Sequence, residues 1–219
     1  MKRPYVILNA AMTLDGKIAT ISGDSKISSR SDLIRLHKLR AYVDAVMVGA
    51  GTILADDPSL TVRLVNGKNP MRVVVDGKAR IPPEAKILDS SAETIVVVSS
   101  KLKKRKIDTL MKSGANVMKF RGVKVNLNLL LKKLYFQGVR KLLLEGGSTL
   151  NWGMLEHNLV DEVQVTVAPK LVGGEKTKTL IGGLGFSRIK ESTKLKLLDM
   201  SKNGSELLLR YRVVGAKRD

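Results

Sequence analysis

The stretch Ala45-Val46-Met47-Val48-Gly49-Ala50-Gly51-Thr52-Ile53-Leu54-Ala55-Asp56-Asp57-Pro58 joins an apolar run to a turn of small residues and then to a short segment that a proline stops. Its four small apolar residues predict a buried strand. Gly49 and Gly51 carry no Cβ atom, so the chain can turn there and a ligand can approach the backbone. We expect Thr52 to cap the helical segment that follows. Open α/β sheets bind nucleotides where a strand runs into a helix, although an ordinary βα turn has the same pattern.

The composition of the chain favours one domain spanning residues 1–219. The 219 residues are 43% hydrophobic, which is enough for a single large core. No apolar run approaches the roughly 20 residues of a membrane-spanning helix, so we expect no membrane association. The chain has no cysteine, and its two histidines, His37 and His157, lie far apart in the sequence. These features predict a cytoplasmic protein without disulfides or a metal site.

The formal net charge of +19 requires an anionic partner or an unusually basic surface. Nucleic acid and phosphorylated small molecules would both meet such a charge. Aromatic residues make up only 4% of the chain, so few rings are available for stacking on bases. The composition therefore favours phosphorylated small molecules, and a basic nucleic-acid-binding α/β protein remains the alternative that is not an enzyme.

Hydrophobic periodicity predicts an alternation of strands and helices over the first two thirds of the chain. The predicted strands are Val6–Met12, Ala45–Val48, Met71–Val75, Thr94–Ser99, Asn116–Phe120, Val139–Leu144 and Asp161–Ala168. The predicted helices are Ser31–Tyr42 (capped by Ser29 or Ser31), Lys101–Lys112 and Leu127–Phe136 (capped by Asn126). This alternation indicates an α/β fold with a mostly parallel sheet and helices on both faces.

The last third of the chain ends in a predicted antiparallel hairpin. Its strands are Lys194–Met200 and Glu206–Val213, and the Asn203-Gly204 pair between them is a strong hairpin signal. The glycine-rich run from Gly173 to Gly185 predicts a mobile loop, and the pattern does not decide between a lid and a subunit contact.

A second glycine-bearing strand end, Glu145-Gly146-Gly147-Ser148-Thr149, opens a further helix. Two such turns in one sheet favour a ligand with more than one phosphate, because backbone N–H groups at helix starts bind anions. Neither turn continues into a Gly-Lys-Ser/Thr sequence, and neither matches Gly-x-Gly-x-x-Gly with a suitably spaced carboxylate. A P-loop and a standard dinucleotide fingerprint are therefore both excluded.

Several charged residues near these turns are candidates for the chemistry. Asp56 and Asp57 suit a metal or acid/base pair, but adjacent side chains diverge, which favours solvated carboxylates at the end of a short helix. Arg40 can meet an anion as a rigid fork, although an ordinary surface arginine has the same spacing. Glu145 follows a buried apolar run and is the better functional candidate, with a hydrogen bond to the next turn as its structural alternative.

Taken together, several segments resemble the reductases of riboflavin biosynthesis, whose fold is similar to that of dihydrofolate reductase. These segments are Arg3-Pro4-Tyr5-Val6, Met12-Thr13-Leu14-Asp15-Gly16-Lys17-Ile18-Ala19, Leu39-Arg40-Ala41, Asp44-Ala45, Val48-Gly49-Ala50-Gly51-Thr52, Ala55-Asp56-Asp57-Pro58, Leu60-Thr61-Val62-Arg63, Glu145-Gly146-Gly147, Val160-Asp161-Glu162, Ala168-Pro169 and Gly173-Gly174. They cover nearly the whole chain in the order of the family.

The resemblance implies that NADPH, with NADH as the alternative cofactor, reduces the ribosyl group of a 6-ribosylaminopyrimidine 5′-phosphate to a ribityl group. The hydride would pass to C1′ of the ring-opened imine. The chain lacks the His-x-Glu and Pro-Cys-x-x-Cys motifs of the zinc deaminase fused to many bacterial members. It therefore resembles the stand-alone archaeal and fungal type, which reduces the 2,5-diamino-pyrimidinone before deamination. Reduction of the deaminated substrate or of dihydrofolate is the alternative, and a homodimer is expected.

The resemblance also assigns residues. The cofactor would contact Thr52, Asp56, Ser99, Gly146, Gly147, Ser148, Thr149 and Leu150. The substrate would contact Asp24, Arg40, Leu60, Arg63 and Glu145, with Lys26 beside them. The two arginines suit the substrate's phosphate. The resemblance assigns no proton donor, and Glu145 is the single candidate for a catalytic residue.

Overall fold

The computed structural model describes residues 2–216, in which nine strands form one sheet flanked by five α-helices. The strands are β1 Tyr5–Thr13, β2 Ala45–Gly49, β3 Met71–Val75, β4 Thr94–Ser99, β5 Asn116–Phe120, β6 Lys141–Leu144, β7 Glu162–Ala168, β8 Leu195–Asn203 and β9 Glu206–Val213. The helices are α1 Arg30–Tyr42, α2 Ala50–Asp56, α3 Lys104–Lys112, α4 Leu127–Phe136 and α5 Ser148–Glu156. No helix within residues 2–216 has the length and apolar character to cross a membrane.

The sheet is parallel except at its carboxyl-terminal edge. Its strand order is β5-β4-β3-β2-β6-β1-β7-β9-β8. The pairs from β5 through to β7 are parallel, whereas β9 runs antiparallel to both β7 and β8. The predicted mostly parallel sheet with a terminal antiparallel hairpin is confirmed. Because β2 lies beside β6, their carboxyl ends meet at the same sheet edge.

Apolar layers cover both faces of the sheet, as the alternation of strands and helices predicts. Successive residues of β2 point to opposite faces: Ala45 and Met47 pack with α4 and α5, whereas Val46 and Val48 pack with α2 and α3. The residues from Ala45 to Val48 are fully buried, which explains why β2 has no polar positions.

Local capping signals were predicted correctly at two helices and wrongly at one. The Ser29 hydroxyl accepts the Asp32 N–H at the start of α1, and the Asn126 side chain accepts the Leu129 N–H at the start of α4. Thr52 is not a cap, because α2 already begins at Ala50 and Gly49 occupies the capping position without a side chain. Thr52 therefore lies inside the first turn of α2.

The hairpin turn lies one residue later than predicted. Asn203 pairs with Glu206, so the two-residue connection is Gly204 and Ser205. Gly204 has a φ of +62°, a conformation that glycine adopts without a Cβ clash. The Glu206 carboxylate accepts hydrogen bonds from the Ser29 N–H at 2.7 Å and its hydroxyl at 2.6 Å, and this long-range contact holds the register.

Four elements begin later than predicted, and β8 is one of them, since it starts at Leu195 instead of Lys194. The basic helix starts at Lys104 instead of Lys101, and β6 starts at Lys141 instead of Val139. The last parallel strand, β7, starts at Glu162, because the Asp161 carboxylate is engaged by the Val6 N–H and by Arg3.

The first part of the glycine-rich loop is held against the end of β1. The Asp15 carboxylate accepts hydrogen bonds from the Gly173 N–H at 2.7 Å and the Val172 N–H at 3.2 Å, and from the Thr13 hydroxyl. The Thr13 hydroxyl and these backbone N–H groups lower the pKa of Asp15 to about 2. The carboxylate is therefore ionised at neutral pH, in the form that accepts all these bonds.

The rest of the glycine-rich loop packs on α5. The Asn151 amide donates to the Leu180 carbonyl at 2.9 Å, and the Gly182 N–H donates to the Ser148 carbonyl at 3.1 Å. A Cβ atom on Gly183 would lie 2.2 Å from the Trp152 ring. Close contact with the ring thus requires glycine at position 183.

A comparison of Gly183→Ala with Gly185→Ala tests this packing. Both residues have a positive φ, but a Cβ on Gly185 would meet no atom within 4 Å. Both variants should therefore share the backbone penalty, and Gly183→Ala should lose about 2 kcal/mol more unfolding free energy from overpacking against Trp152. Urea denaturation measures the difference. Equal losses of unfolding free energy in the two variants would show that the loop does not pack closely against the Trp152 ring.

Candidate active site

The two glycine-bearing turns form one wall of a cleft of about 640 Å³ at the carboxyl ends of β2 and β6. The Gly49 N–H donates to the Gly146 carbonyl at 2.8 Å, and the Glu145 N–H donates to the Met47 carbonyl at 3.0 Å. These bonds extend the β2–β6 pairing into the turns themselves. Segments distant in the sequence are thereby fixed side by side.

Most of the residues predicted to contact the cofactor line this cleft. They are Thr52, Asp56, Gly147, Ser148, Thr149 and Leu150. Gly146 lies behind the wall, where its carbonyl binds Gly49. Ser99 is buried outside the cleft and donates its hydroxyl to the Gly122 carbonyl, next to the loop of residues 123–125 that does line the cleft.

The cleft has the properties that an elongated phosphate-bearing ligand requires. Its volume is within the range of small-molecule sites. A Cβ atom on Gly51 would meet no protein atom within 4 Å, so a ligand has room to approach the backbone there. Beneath the second turn, Asn151 is 2% exposed, and its Oδ1 has no hydrogen-bond partner among residues 2–216. The residues present therefore fit a nicotinamide dinucleotide.

Four basic residues also line the cleft, and sequence reasoning missed them. They are Lys78, Arg80, Lys124 and Lys178. The first two follow β3, and Lys124 follows β5, so they occupy the same carboxyl-terminal edge as the glycine turns. The sequence did contain a signal for these residues, because a cationic residue just after a predicted parallel strand lies at the carboxyl-terminal edge of the sheet. These side chains make the cleft suitable for more than one phosphate.

The two adjacent aspartates face different partners. Asp56 accepts a hydrogen bond from the Ser25 hydroxyl at 3.1 Å. Asp57 adopts a left-handed conformation, accepts the Lys86 N–H at 2.9 Å and pairs with the Lys86 ammonium at 3.4 Å. The carboxylates therefore do not share a site. Among residues 2–216, no three His, Asp or Glu side chains are close enough together to hold a metal ion.

Arg40 and Glu145 form a buried pair at the end of β6. Arg40 Nε and Nη2 each lie 2.7 Å from a Glu145 carboxylate oxygen, and Nη1 donates to the Thr61 carbonyl at 3.2 Å. Burial disfavours the charged guanidinium, but the Glu145 charge and hydrogen bonds outweigh it and raise the pKa of Arg40. All three of these donors are committed within the protein, so this geometry gives Arg40 a structural task beside any contact with a phosphate.

Arg63 is the exposed arginine of the predicted substrate set. Its Nη1 donates to the Thr61 hydroxyl at 2.7 Å, and Leu60 lies buried just before it with a φ of +54°. The structure therefore brings Arg40, Leu60, Arg63 and Glu145 into one cluster around Thr61. Asp24 lies apart, in an exposed loop whose neighbours Gly23 and Ser25 line the cleft, and it accepts the Lys26 N–H at 3.0 Å.

His37 also belongs to this cluster. Because His157 lies far away in the sequence, the sequence predicts of His37 only that it is not a metal ligand. Its Nδ1 accepts the Arg63 N–H at 2.8 Å, and the ring is 4% exposed. His37 lies three residues before Arg40 on a predicted helix, and this spacing places both side chains on one face of the helix. The spacing could therefore have identified His37 as a site residue.

Comparisons with known proteins identify the family of the chain. Residues 4–209 match the family described as the RibD C-terminal domain. The 2,5-diamino-6-ribosylamino-4(3H)-pyrimidinone 5′-phosphate reductase of Methanothermobacter thermautotrophicus is 48% identical over 216 residues, which span 97% of this chain and 100% of that protein.

Solved structures give the same relationship. A deaminase/5-amino-6-(5-phosphoribosylamino)uracil reductase from Thermotoga maritima superposes with a TM-score of 0.78 at 31% identity, covering 96% of this chain and 57% of that chain. A dihydrofolate reductase from Enterococcus faecalis superposes with a TM-score of 0.56 at 13% identity, over 96% of each chain, which shows a shared fold. The predicted dihydrofolate-reductase-like fold is confirmed, and the chain belongs to the RibD C-terminal domain family.

Proposed function

We propose that this chain is a cytoplasmic NADPH-dependent reductase that converts the ribosyl group of 2,5-diamino-6-ribosylamino-4(3H)-pyrimidinone 5′-phosphate to a ribityl group. The observation that carries the proposal is the position of the cleft. Glu145 directly precedes the second glycine turn of this cleft and pairs with Arg40, which in turn bonds Thr61 beside Arg63. A dinucleotide in the cleft and a phosphorylated substrate at the cluster would meet at this strand end. The relative from Methanothermobacter thermautotrophicus is named for this reaction.

In this proposal, one set of residues would bind the dinucleotide and another set would bind and orient the substrate. Backbone groups from Gly147 to Leu150 and the Thr52 hydroxyl would hold the phosphates of the dinucleotide. Arg63 would take the 5′-phosphate of the substrate, since its guanidinium is exposed and planar. Glu145, oriented by Arg40, would face the opened sugar. NADPH would supply the hydride for C1′, and a residue or a water would protonate the nitrogen.

The geometry favours a phosphorylated substrate over dihydrofolate. The exposed guanidinium of Arg63 lies beside Thr61, and a pterin carries no phosphate for it to bind. The Thermotoga maritima protein is named for the deaminated uracil substrate. The choice between the amino and the deaminated pyrimidine is therefore the main alternative that an assay must resolve.

We expect NADPH oxidation, followed at 340 nm, when the protein is incubated with the diaminopyrimidinone substrate. Turnover should be at least tenfold slower with the deaminated analogue and absent with dihydrofolate, because a site built for a given polar group rejects analogues that leave it unpaired. Faster turnover of the uracil analogue would reassign the substrate. If none of the three compounds is reduced, the protein is not this reductase.

We infer that the cofactor is NADPH in preference to NADH. The additional 2′-phosphate needs cationic partners, and Lys78 and Lys124 are exposed lysines on the lining of the cleft. Both lie on loops after parallel strands, opposite the glycine wall.

Replacing Lys78 or Lys124 by Gln should lower the preference for NADPH over NADH by about fivefold each, which corresponds to about 1 kcal/mol for an exposed ion pair. The ratio of kcat/KM for the two cofactors measures this preference. Lys112→Gln, on α3 outside the cleft, is the matched control and should leave the ratio unchanged. A ratio that is the same in all three variants would remove the lysines from cofactor selection.

We infer that the chain forms a homodimer through its carboxyl-terminal hairpin. Eight of the nine residues of β8 are exposed, including Leu195, Leu197 and Met200, and Leu207 of β9 is exposed beside them. Register places Leu197 with Tyr211 and Met200 with Leu209, so these side chains share one face of the sheet. An edge strand with such a face requires cover, and a second copy supplies a matching surface.

Sedimentation should therefore give about twice the chain mass, and Leu197→Lys should shift the protein to a monomer by placing a charge in the interface. Phe136→Lys is the control, because it replaces an exposed apolar residue on α4, away from the hairpin. A wild-type monomer, or a dimer that both variants leave intact, would exclude this interface.

A further inference from the structure

The segment that carries Arg63 is held by side chains and not by strand pairing. Residues 60–64 lie outside the sheet, and Leu60 turns the chain there with a positive φ. Four hydrogen bonds fix the segment: Asn69 accepts the Val62 N–H at 2.8 Å, Arg40 donates to the Thr61 carbonyl, and His37 Nδ1 accepts the Leu64 N–H at 3.4 Å and the Arg63 N–H at 2.8 Å. Only the last of these reaches the peptide of Arg63 itself.

His37 makes this bond as a neutral ring. An N–H donor points at Nδ1, so the ring proton must lie on Nε2. The charged groups around the ring are Arg40 on the same helix, Arg63 on the segment and Glu145 at the end of β6. Burial lowers the pKa of His37, and the positive charges of Arg40 and Arg63 lower it further against the opposing charge of Glu145. The acceptor is therefore maintained at neutral pH.

We propose that His37 is a positioning residue that fixes the backbone of Arg63, so that the exposed guanidinium is presented to the phosphate of the substrate. The inference rests on the proposed function, because it names how that site recognises its phosphate. His37 acts through Arg63 and has no contact with the reacting atoms. It links α1, which is anchored by the Arg40–Glu145 pair, to the segment that must stay in place for binding.

Two substitutions of His37 by amide side chains of different length distinguish this positioning role from a role in general packing. In His37→Asn, Oδ1 lies close to the position of Nδ1 and can still accept the Arg63 N–H. In His37→Gln, the acceptor is displaced by one methylene, toward the position of Nε2. Loss of a buried acceptor should raise the KM for the pyrimidinone phosphate about tenfold in the Gln variant, with kcat and NADPH affinity within twofold of wild type. The Asn variant should stay within threefold of the wild-type KM.

Arg63→Ala supplies the upper limit for the effect, since it removes the guanidinium itself. Hydrogen exchange at the Arg63 amide gives a readout that needs no turnover: exchange should be faster in the Gln variant and near wild type in the Asn variant. The proposal is overturned if the Gln variant has the wild-type KM. It is also overturned if the KM of the Asn variant rises as much as that of the Gln variant. A parallel loss of NADPH affinity also overturns it, because that indicates general disruption.

Failure of the proposed function would appear separately, as no NADPH oxidation by the wild-type protein. Calorimetric titration with ribose 5-phosphate would then decide the role of His37. Weaker binding by the Gln variant than by the Asn variant supports a phosphate-positioning role, and equal binding by both rejects it. If the Gln variant does not fold, His37→Leu serves in its place, with the same outcomes.

Discussion

The buried ion pair between Arg40 and Glu145 is the interaction on which the site depends. Both charges are nearly withdrawn from water, and two parallel hydrogen bonds of 2.7 Å satisfy them. Removal of either partner would leave a buried charge without compensation, at a cost of about 3–5 kcal/mol. Each residue therefore requires the other, and together they hold α1 at a fixed distance from the end of β6. Arg40 also donates to the Thr61 carbonyl, and the Arg63 N–H donates to His37 on the same helix, so the constraint extends to the neighbouring segment.

The glycine wall of the cleft is positioned in a different way from the cluster around Thr61. The wall includes backbone at Gly49 and Gly147, and the bond from Gly49 to Gly146 behind the wall exists because β2 lies beside β6 in the sheet. Glycine permits this approach: a Cβ on Gly147 would lie 3.4 Å from the Thr52 hydroxyl. The sheet topology thus positions the glycine wall of the cleft, whereas paired side chains position the cluster around Thr61.

The sequence predicts those features that depend on local patterns. The apolar run of β2 and the caps Ser29 and Asn126 are set by residues within one turn of themselves, and all were predicted correctly. The hairpin turn was misplaced by one residue, because its register depends on Glu206 meeting Ser29 across the molecule. Likewise, Arg72 is fully buried within β3, where it donates hydrogen bonds to Thr94, Asp89 and other acceptors that no pattern near Arg72 reveals. His37 was missed as a site residue for the same reason: its partner lies on a segment without periodicity.

The similarity to dihydrofolate reductase at 13% identity shows what the scaffold itself supplies. A shared fold keeps the strand ends and the cleft they enclose, but it does not decide the ligand, which depends on the side chains grafted onto the loops. In this chain the segment after α2 brings Thr61 and Arg63 against α1. The segment lacks strand partners, so its conformation depends on the contacts with His37, Arg40 and Asn69. Under the proposed function, recognition of the substrate's phosphate would therefore depend on this small network of side-chain hydrogen bonds.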